Sequence, residues 1–242
     1  MRNVLKLIAL GLTLQSCNNE IVINKGVCGY STADILEHMD RDLRWEYPDF
    51  VILMIGNNDM IHARKKMSIQ DYSVNLKKIV IKLKSKGIKV ILLSSPPIDT
   101  LTIGVNIKQL TNYISPNIKL DSVRKINKQL AIDEDLFFVD LFQLFIDNGI
   151  PKHNEDEYIK NIKNCGYADG VHPTEKGYKF IAEAIFKYLV KNDLINEGNK
   201  IITLGDSITF GPDVKGAGTS EGNTYPGYLL QMIKNFLNKN DK

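Results

Sequence analysis

Apolar runs and amphipathic stretches take turns along this chain. Phe50-Val51-Ile52-Leu53-Met54-Ile55 is apolar throughout, and Ile88-Lys89-Val90-Ile91-Leu92-Leu93 nearly so. That is the pattern of strands covered on both faces in a parallel sheet. Shorter strands are expected at Ile21-Val22-Ile23-Asn24 and at Leu136-Phe137-Phe138-Val139-Asp140. Between the strands, apolar residues recur at helical spacing. A first helix starts near Thr32 and carries Ile35, Leu36, Met39 and Leu43. A second covers 70–86, with Leu76, Ile79, Val80 and Leu83 inside and Gly87 placed to end it. A third spans 119–132, and a fourth, capped by Thr174, runs through Ile181, Ala182, Ile185 and Leu189. Residues 100–118 read as a loop insertion and 146–168 as a polar, turn-rich connection. After the polar linker 191–200 come one more apolar strand ending in a tight turn, Ile201-Ile202-Thr203-Leu204-Gly205-Asp206-Ser207, and a glycine-rich loop, 211–222. A helix follows, with Leu229, Leu230, Ile233, Phe236 and Leu237 on one side. A strand this apolar belongs in the sheet.

Alternating strands and helices predict a three-layer α/β/α sandwich around a central parallel sheet, of flavodoxin-like type. Ligand sites in such sheets lie beyond the carboxyl ends of the strands. The loops at 24–31, 56–59 and 94–97 should therefore open on one edge. At 242 residues the chain can bury one sizeable core, and one domain is expected. Its 31 basic and 28 acidic side chains are too evenly balanced to suggest a nucleic-acid partner, and no basic block interleaved with aromatics occurs. The three cysteines, Cys17, Cys28 and Cys165, have neither zinc-site spacing nor the even count of a disulfide framework.

The N-terminus changes the picture. Arg2 and Lys6 precede the apolar run Leu7–Leu14, which is far shorter than the about 20 residues needed to span a bilayer. It reads as a secretory signal. Leu14-Gln15-Ser16-Cys17 resembles a bacterial lipoprotein cleavage box, so residues 1–17 are expected to act as a signal and Cys17 to carry a lipid. The location implied is the bacterial cell envelope, membrane-attached and facing outside the cytoplasm. A buried N-terminal strand or helix is the competing reading, and would leave the protein cytoplasmic.

Two constellations carry chemistry. In Asp169-Gly170-Val171-His172-Pro173-Thr174 a histidine follows an aspartate by three residues, in a turn before a helix. One ring nitrogen can meet the carboxylate while the other faces a nucleophile. The plainer reading is an Asp-Gly turn beside an exposed histidine. In Gly205-Asp206-Ser207-Ile208-Thr209 a serine sits on the turn after an apolar strand, where its hydroxyl is exposed and its N–H can meet an oxyanion. Helix capping is the competing role. Gly29, without a side chain, and Asn58, through its amide, are further candidate oxyanion donors.

Together these sites resemble the SGNH, or GDSL-type, hydrolase family. Its nucleophile block is similar to Leu204–Thr209, and its glycine block to Asn24–Gly29. Its Gly-x-Asn-Asp block is similar to Gly56–Asp59, and its Asp-x-x-His-Pro block to Asp169–Pro173. The resemblance covers nearly all of 21–237 and implies a serine esterase with Ser207, His172 and Asp169 catalytic. Ser207, Gly29 and Asn58 would then form the oxyanion hole. It implies no metal and no organic cofactor. The block order departs from the family, since the serine block comes last here. A circular permutation is expected, with the serine-bearing strand and helix of 200–239 completing an 18–242 hydrolase domain. A self-completing monomer is expected, and a domain-swapped dimer is the alternative. Asp206 reads as a turn stabiliser, and His38, His62 and His153 as incidental, with His62 close enough to Asn58 to line a pocket.

The loops that would choose the substrate, 97–118, 146–168 and 210–224, are polar and lack a long apolar stripe. They point to short acyl groups, acetyl on a carbohydrate. A lysophospholipase or thioesterase with an apolar groove is the rival enzyme. A carbohydrate-binding protein that has lost turnover is the rival from another class.

Overall fold

The computed structural model describes residues 21–103 and 114–240. Cys17 and the signal run lie outside the described residues, as does 104–113 of the expected loop insertion. Five parallel strands form one sheet in the order β1-β5-β2-β3-β4: β1 (Val22–Gly26), β2 (Phe50–Met54), β3 (Lys89–Leu93), β4 (Phe137–Val139) and β5 (Ile201–Gly205). Each is where the apolar runs predict it, to within two residues. Counted from β5, the order reads 2-1-3-4-5, a common doubly wound arrangement.

Side chains alternate across a strand, and β2 shows this cleanly. Val51 and Leu53 enter a core shared with α1 (Thr32–Asp42), α3 (Ile69–Lys84) and α4 (Pro116–Asp133). Phe50, Ile52 and Met54 enter a second core with α5 (Leu141–Asp147), α7 (Glu175–Lys191) and α9 (Tyr225–Asn240). The sheet is thus sandwiched, and the three-layer expectation holds. All five residues of β5 are buried, and its register pairs Ile202 with Ile23 on one side and Val51 on the other. Each fully buried Ile or Leu there contributes about 1.5–3 kcal/mol. The polar Thr203 is fully buried as well, and donates its hydroxyl to the Ile23 carbonyl at 3.2 Å.

The short elements escaped the pattern. Helix α2 (Asn57–Ile61), α6 (Ile162–Cys165) and α8 (Ser207–Phe210) are one-turn pieces in segments that read as loops. Helix α5 occupies 141–147, where no helix is expected, and Asp140 caps it through the Gln143 N–H at 3.1 Å. Helix α4 begins earlier than expected, with Pro116 in its first turn, where a missing N–H costs nothing. Thr174 caps α7 as expected, by accepting the Gly177 N–H at 3.1 Å.

Gly26 ends β1 where it meets the serine's helix. A Cβ at this position would lie 2.2 Å from the Phe210 nitrogen and 2.6 Å from the Thr209 carbonyl carbon, both backbone atoms that cannot swing aside. Gly26→Ala is therefore expected to lower stability by about 1–3 kcal/mol, as overpacking does. Urea denaturation measures it, and an unchanged midpoint would mean that β1 and α8 do not pack this closely.

Candidate active site

Parallel pairing brings the carboxyl ends of β1, β5 and β2 side by side, and three candidate groups leave from those ends. Val27 donates to the Gly205 carbonyl at 3.1 Å, which ties the turn carrying Gly29 to the end of β5. Gly29 has φ +81°, a conformation that L side chains resist, and a Cβ there would meet only open space. Its N–H and that of Ser207 take no acceptor among the described residues. Asn58 lies on α2, directly after β2, and donates one amide N–H to the Tyr30 carbonyl at 2.8 Å. That bond fixes the amide and leaves its second N–H for the cavity. The neighbouring Asp59 is buried and accepts the Thr32 N–H at 3.0 Å and the Thr32 hydroxyl. It thereby locks α2 to the start of α1.

Ser207 opens α8, capped by Asp206 through the Ile208 N–H at 2.9 Å. Facing it, the Asp169–His172 turn is closed by its own aspartate, whose Oδ1 accepts the Val171 and His172 N–H groups, each at 2.7 Å. Asp169 Oδ2 lies 2.8 Å from His172 Nδ1, and His172 Nε2 lies 3.0 Å from Ser207 Oγ. The Ser-His-Asp chain is continuous. Gly170, at φ +77°, lets the turn press against Asp99, whose N–H donates to the Gly170 carbonyl at 2.7 Å.

Ser207, His172, Gly29 and Asn58 line a cavity of about 360 Å³, with Ile61, Val171 and Pro212 as its apolar walls and His62 at its margin. Asp169 stands behind the histidine. Ser207 and the four residues singled out around it are thus brought together, and His62 lines the pocket as expected. His153 instead pairs with Asp99, at 2.9 Å from Nδ1, and His38 packs beside the Tyr30 ring. Cys28 is a free thiol on the cavity wall, and Cys165 is also free. Sequence reasoning gave Asn24 no role beyond its block. Its buried amide donates to the Thr209 and Thr219 carbonyls at 3.0 and 3.2 Å, stapling the loop after the serine to β1. Among the described residues, no three His, Cys, Asp or Glu side chains are grouped to hold a metal ion.

Two carboxyls near the serine are shifted in opposite directions. Burial disfavours ionisation of Asp169, but the hydrogen bonds and charge of His172, with the backbone donors, outweigh it and hold the carboxyl below its usual value. Burial pushes Asp206 up to about 7, against the Ile208 N–H and the attraction of His172, and Asp59 adds to the rise. Asp206 Oδ2 has no hydrogen-bond partner among the described residues. Between the unfolded value of 3.8 and about 7 the folded state therefore holds the extra proton, and stability falls as pH rises through that window. Asparagine keeps the cap acceptor and cannot ionise. Urea unfolding at about pH 5 and about pH 8 should show a larger loss for the wild type than for Asp206→Asn. Equal losses would refute a raised Asp206.

The chain matches the GDSL-like Lipase/Acylhydrolase family over residues 9–180. It is 25% identical over 180 residues to an acetylxylan esterase of Geobacillus stearothermophilus, a match covering 69% of this chain and 70% of that protein. Two solved structures share the fold. A lipase/acylhydrolase of Enterococcus faecalis superposes with a TM-score of 0.53 at 21% identity, over 68% of this chain and 72% of that one. An acetylxylan esterase of Geobacillus stearothermophilus gives 0.52 at 20% identity, over 66% and 68%. The family match takes in Gly29, Asn58, Asp169 and His172 and spans well over half of the chain. The chain belongs to the GDSL-like lipase/acylhydrolase family, and its class is that of the carboxylic ester hydrolases.

Proposed function

We propose that this protein removes short acyl groups, acetyl foremost, from an acylated carbohydrate, with Ser207 as nucleophile. The observation that carries the reading is the unbroken contact from Ser207 Oγ through His172 to Asp169, at 3.0 and 2.8 Å, on the wall of the cavity. His172 takes the hydroxyl proton as Ser207 Oγ bonds to the ester carbonyl carbon. Asp169 holds the ring with Nδ1–H toward itself and stabilises the imidazolium. The oxyanion is met by the N–H groups of Ser207 and Gly29 and by the free N–H of Asn58. Collapse expels the sugar alcohol, which takes its proton from His172. Water, deprotonated by His172, then attacks the acyl-serine and releases the acid. The apolar walls formed by Ile61, Val171 and Pro212 suit a small acyl group. The relative named acetylxylan esterase supports both the acetyl group and the sugar.

The same reading makes the chain a circular permutant of its family. Two observations support it: the 2-1-3-4-5 order counted from β5, and a family match that stops at residue 180, before the serine strand. Ser207 reaches His172 of its own chain, which favours a monomer over a swapped dimer. The N-terminal run and Cys17 supply the rest of the reading, a lipid anchor at the bacterial cell envelope.

Purified residues 18–242 are expected to hydrolyse nitrophenyl acetate, with rates falling as the acyl chain lengthens toward decanoate. Ser207→Ala should reduce turnover to background, and Asn58→Ala should lower kcat by about 10²–10³-fold. Equal turnover in Ser207→Ala would sink the serine mechanism, and a preference for decanoate would favour a lipid esterase. A rearranged chain with residues 198–242 placed ahead of 18–190 is expected to fold and keep the acetate rate. A rearranged chain that folds yet is inactive would contradict the permutation.

A further inference from the structure

Lys160 lies beside the isolated bridge Ile159–Pro173, in the connection between α5 and α6. Its backbone grips the Asp169–His172 turn twice. The Lys160 N–H donates to the His172 carbonyl at 2.9 Å, and its carbonyl accepts the Gly170 N–H at 2.8 Å. Its side chain, only 5% exposed, crosses to the segment that follows the serine. There the ammonium donates to the Pro212 carbonyl at 2.8 Å and lies 3.3 Å from Asp213 Oδ2. Tyr167 donates its hydroxyl to the same carboxylate oxygen at 2.9 Å. A buried ammonium is costly unless paired and hydrogen-bonded, and an apolar side chain of similar length would avoid that cost. One residue therefore joins the histidine's turn to the serine's loop, through bonds made at both ends.

We propose that Lys160 is a positioning residue that sets the approach of His172 to Ser207 and neutralises the Asp213 carboxylate to which it is paired. The proposal rests on the serine-esterase reading. Helix α8 is a single turn ending at Gly211, so Pro212 is the direct continuation of the serine's own helix. Holding Pro212 to Lys160 holds Ser207 to the turn that carries His172. The electrostatic part follows from what surrounds the imidazole. Asp169 is hydrogen-bonded to its Nδ1, and the carboxyls of Asp206, at the cap of α8, and Asp213, in the loop beyond, interact with its charge through space. Asp213 in turn is hydrogen-bonded to Tyr167 and Lys160, while Cys28 and Tyr178 feel its charge only through space. Hydrogen bonds from Tyr167 and Lys160, then the Lys160 charge, keep its carboxyl ionised below the usual range. Removing the ammonium leaves that negative charge free to favour the protonated imidazole.

The test compares wild type, Lys160→Met, Lys160→Arg, Asp213→Asn and the Lys160→Met/Asp213→Asn pair. Thermal unfolding, nitrophenyl acetate kinetics across pH and labelling by a fluorophosphonate are measured for each. In the labelling step Ser207 Oγ bonds to phosphorus, the P–F bond breaks, His172 takes the proton and fluoride leaves. Lys160→Met is expected to lose about 10- to 100-fold in kcat and in labelling rate, as small misplacements do, with KM little changed. The acid limb of its kcat/KM profile should move to higher pH, and Asp213→Asn in that background should move it back. Lys160→Arg should recover most of kcat. A folded Lys160→Met with wild-type labelling and an unmoved limb overturns the proposal. So do equal losses in Met and Arg with the limb unmoved, which would mark a purely structural lysine. If Lys160→Met does not fold, Asp213→Asn carries the test, since its side chain is 64% exposed. Its limb should move to lower pH, and a fixed limb overturns the proposal. Wild type that neither labels nor turns over would refute the serine reading itself, before any variant is compared.

Discussion

Strand β5 is hydrogen-bonded on both edges, to β1 and to β2, and everything the site needs follows from that pairing. Serine chemistry needs a hydroxyl, a base and oxyanion donors within about one hydrogen-bond length of a single carbonyl. In the proposed site the hydroxyl comes from the last sixth of the chain, and its partners come from residues 29, 58 and 172. A central strand has no freedom to slide, because a slip by one residue would turn every buried side chain to the opposite core. Ile202 and Leu204 face one core, and Ile201 the other, so the register is fixed from both sides. The position of Ser207 is thereby fixed by packing energy spent two to six residues earlier.

The polar groups around the serine are organised to keep that precision. Asp59 and Asn24 are buried, and each spans two elements: Asp59 joins α2 to α1, and Asn24 joins β1 to the loop after α8. Buried groups with satisfied hydrogen bonds are expensive to disturb, so such ties act as rigid spacers. Asp206 differs. Its second oxygen lacks a partner among the described residues, and burial, with the charge of Asp59 added, pushes its carboxyl up to about 7. A carboxyl in that state can be neutral beside Ser207, while Asp169 stays ionised behind the histidine. Two aspartates close to one imidazole are thus shifted in opposite directions, because one is hydrogen-bonded to it and the other is desolvated.

The serine-bearing strand is reached last along the chain, yet the strands occupy a common doubly wound order when counted from β5. Packing responds to where a strand lies and not to when it is reached along the chain. The requirement is only that the connections be long enough, and the polar linker between α7 and β5 meets it. The cavity sits where β5 and β2 leave the sheet toward opposite layers, which is the crevice that such sheets offer to ligands.

Much of this was legible in the residues themselves. The five strands, the long helices and the cap at Thr174 follow from periodicity, because burial on two faces or one stripe leaves a strong pattern. Ser207, His172, Asp169, Gly29 and Asn58 stand out as motif blocks, because each falls in a short string of residues similar to a family block. What the sequence could not supply was the one-turn helices α2, α6 and α8, which are too short to show a period. It also could not give the role of Lys160, whose neighbours in space, Pro212 and Asp213, lie more than fifty residues away. The raised Asp206 carboxyl and the staples made by Asn24 belong to the same class. Local pattern determines what an element is, since each residue reports its own burial. Which elements meet, and which side chains are desolvated between them, is decided only when the strands pair.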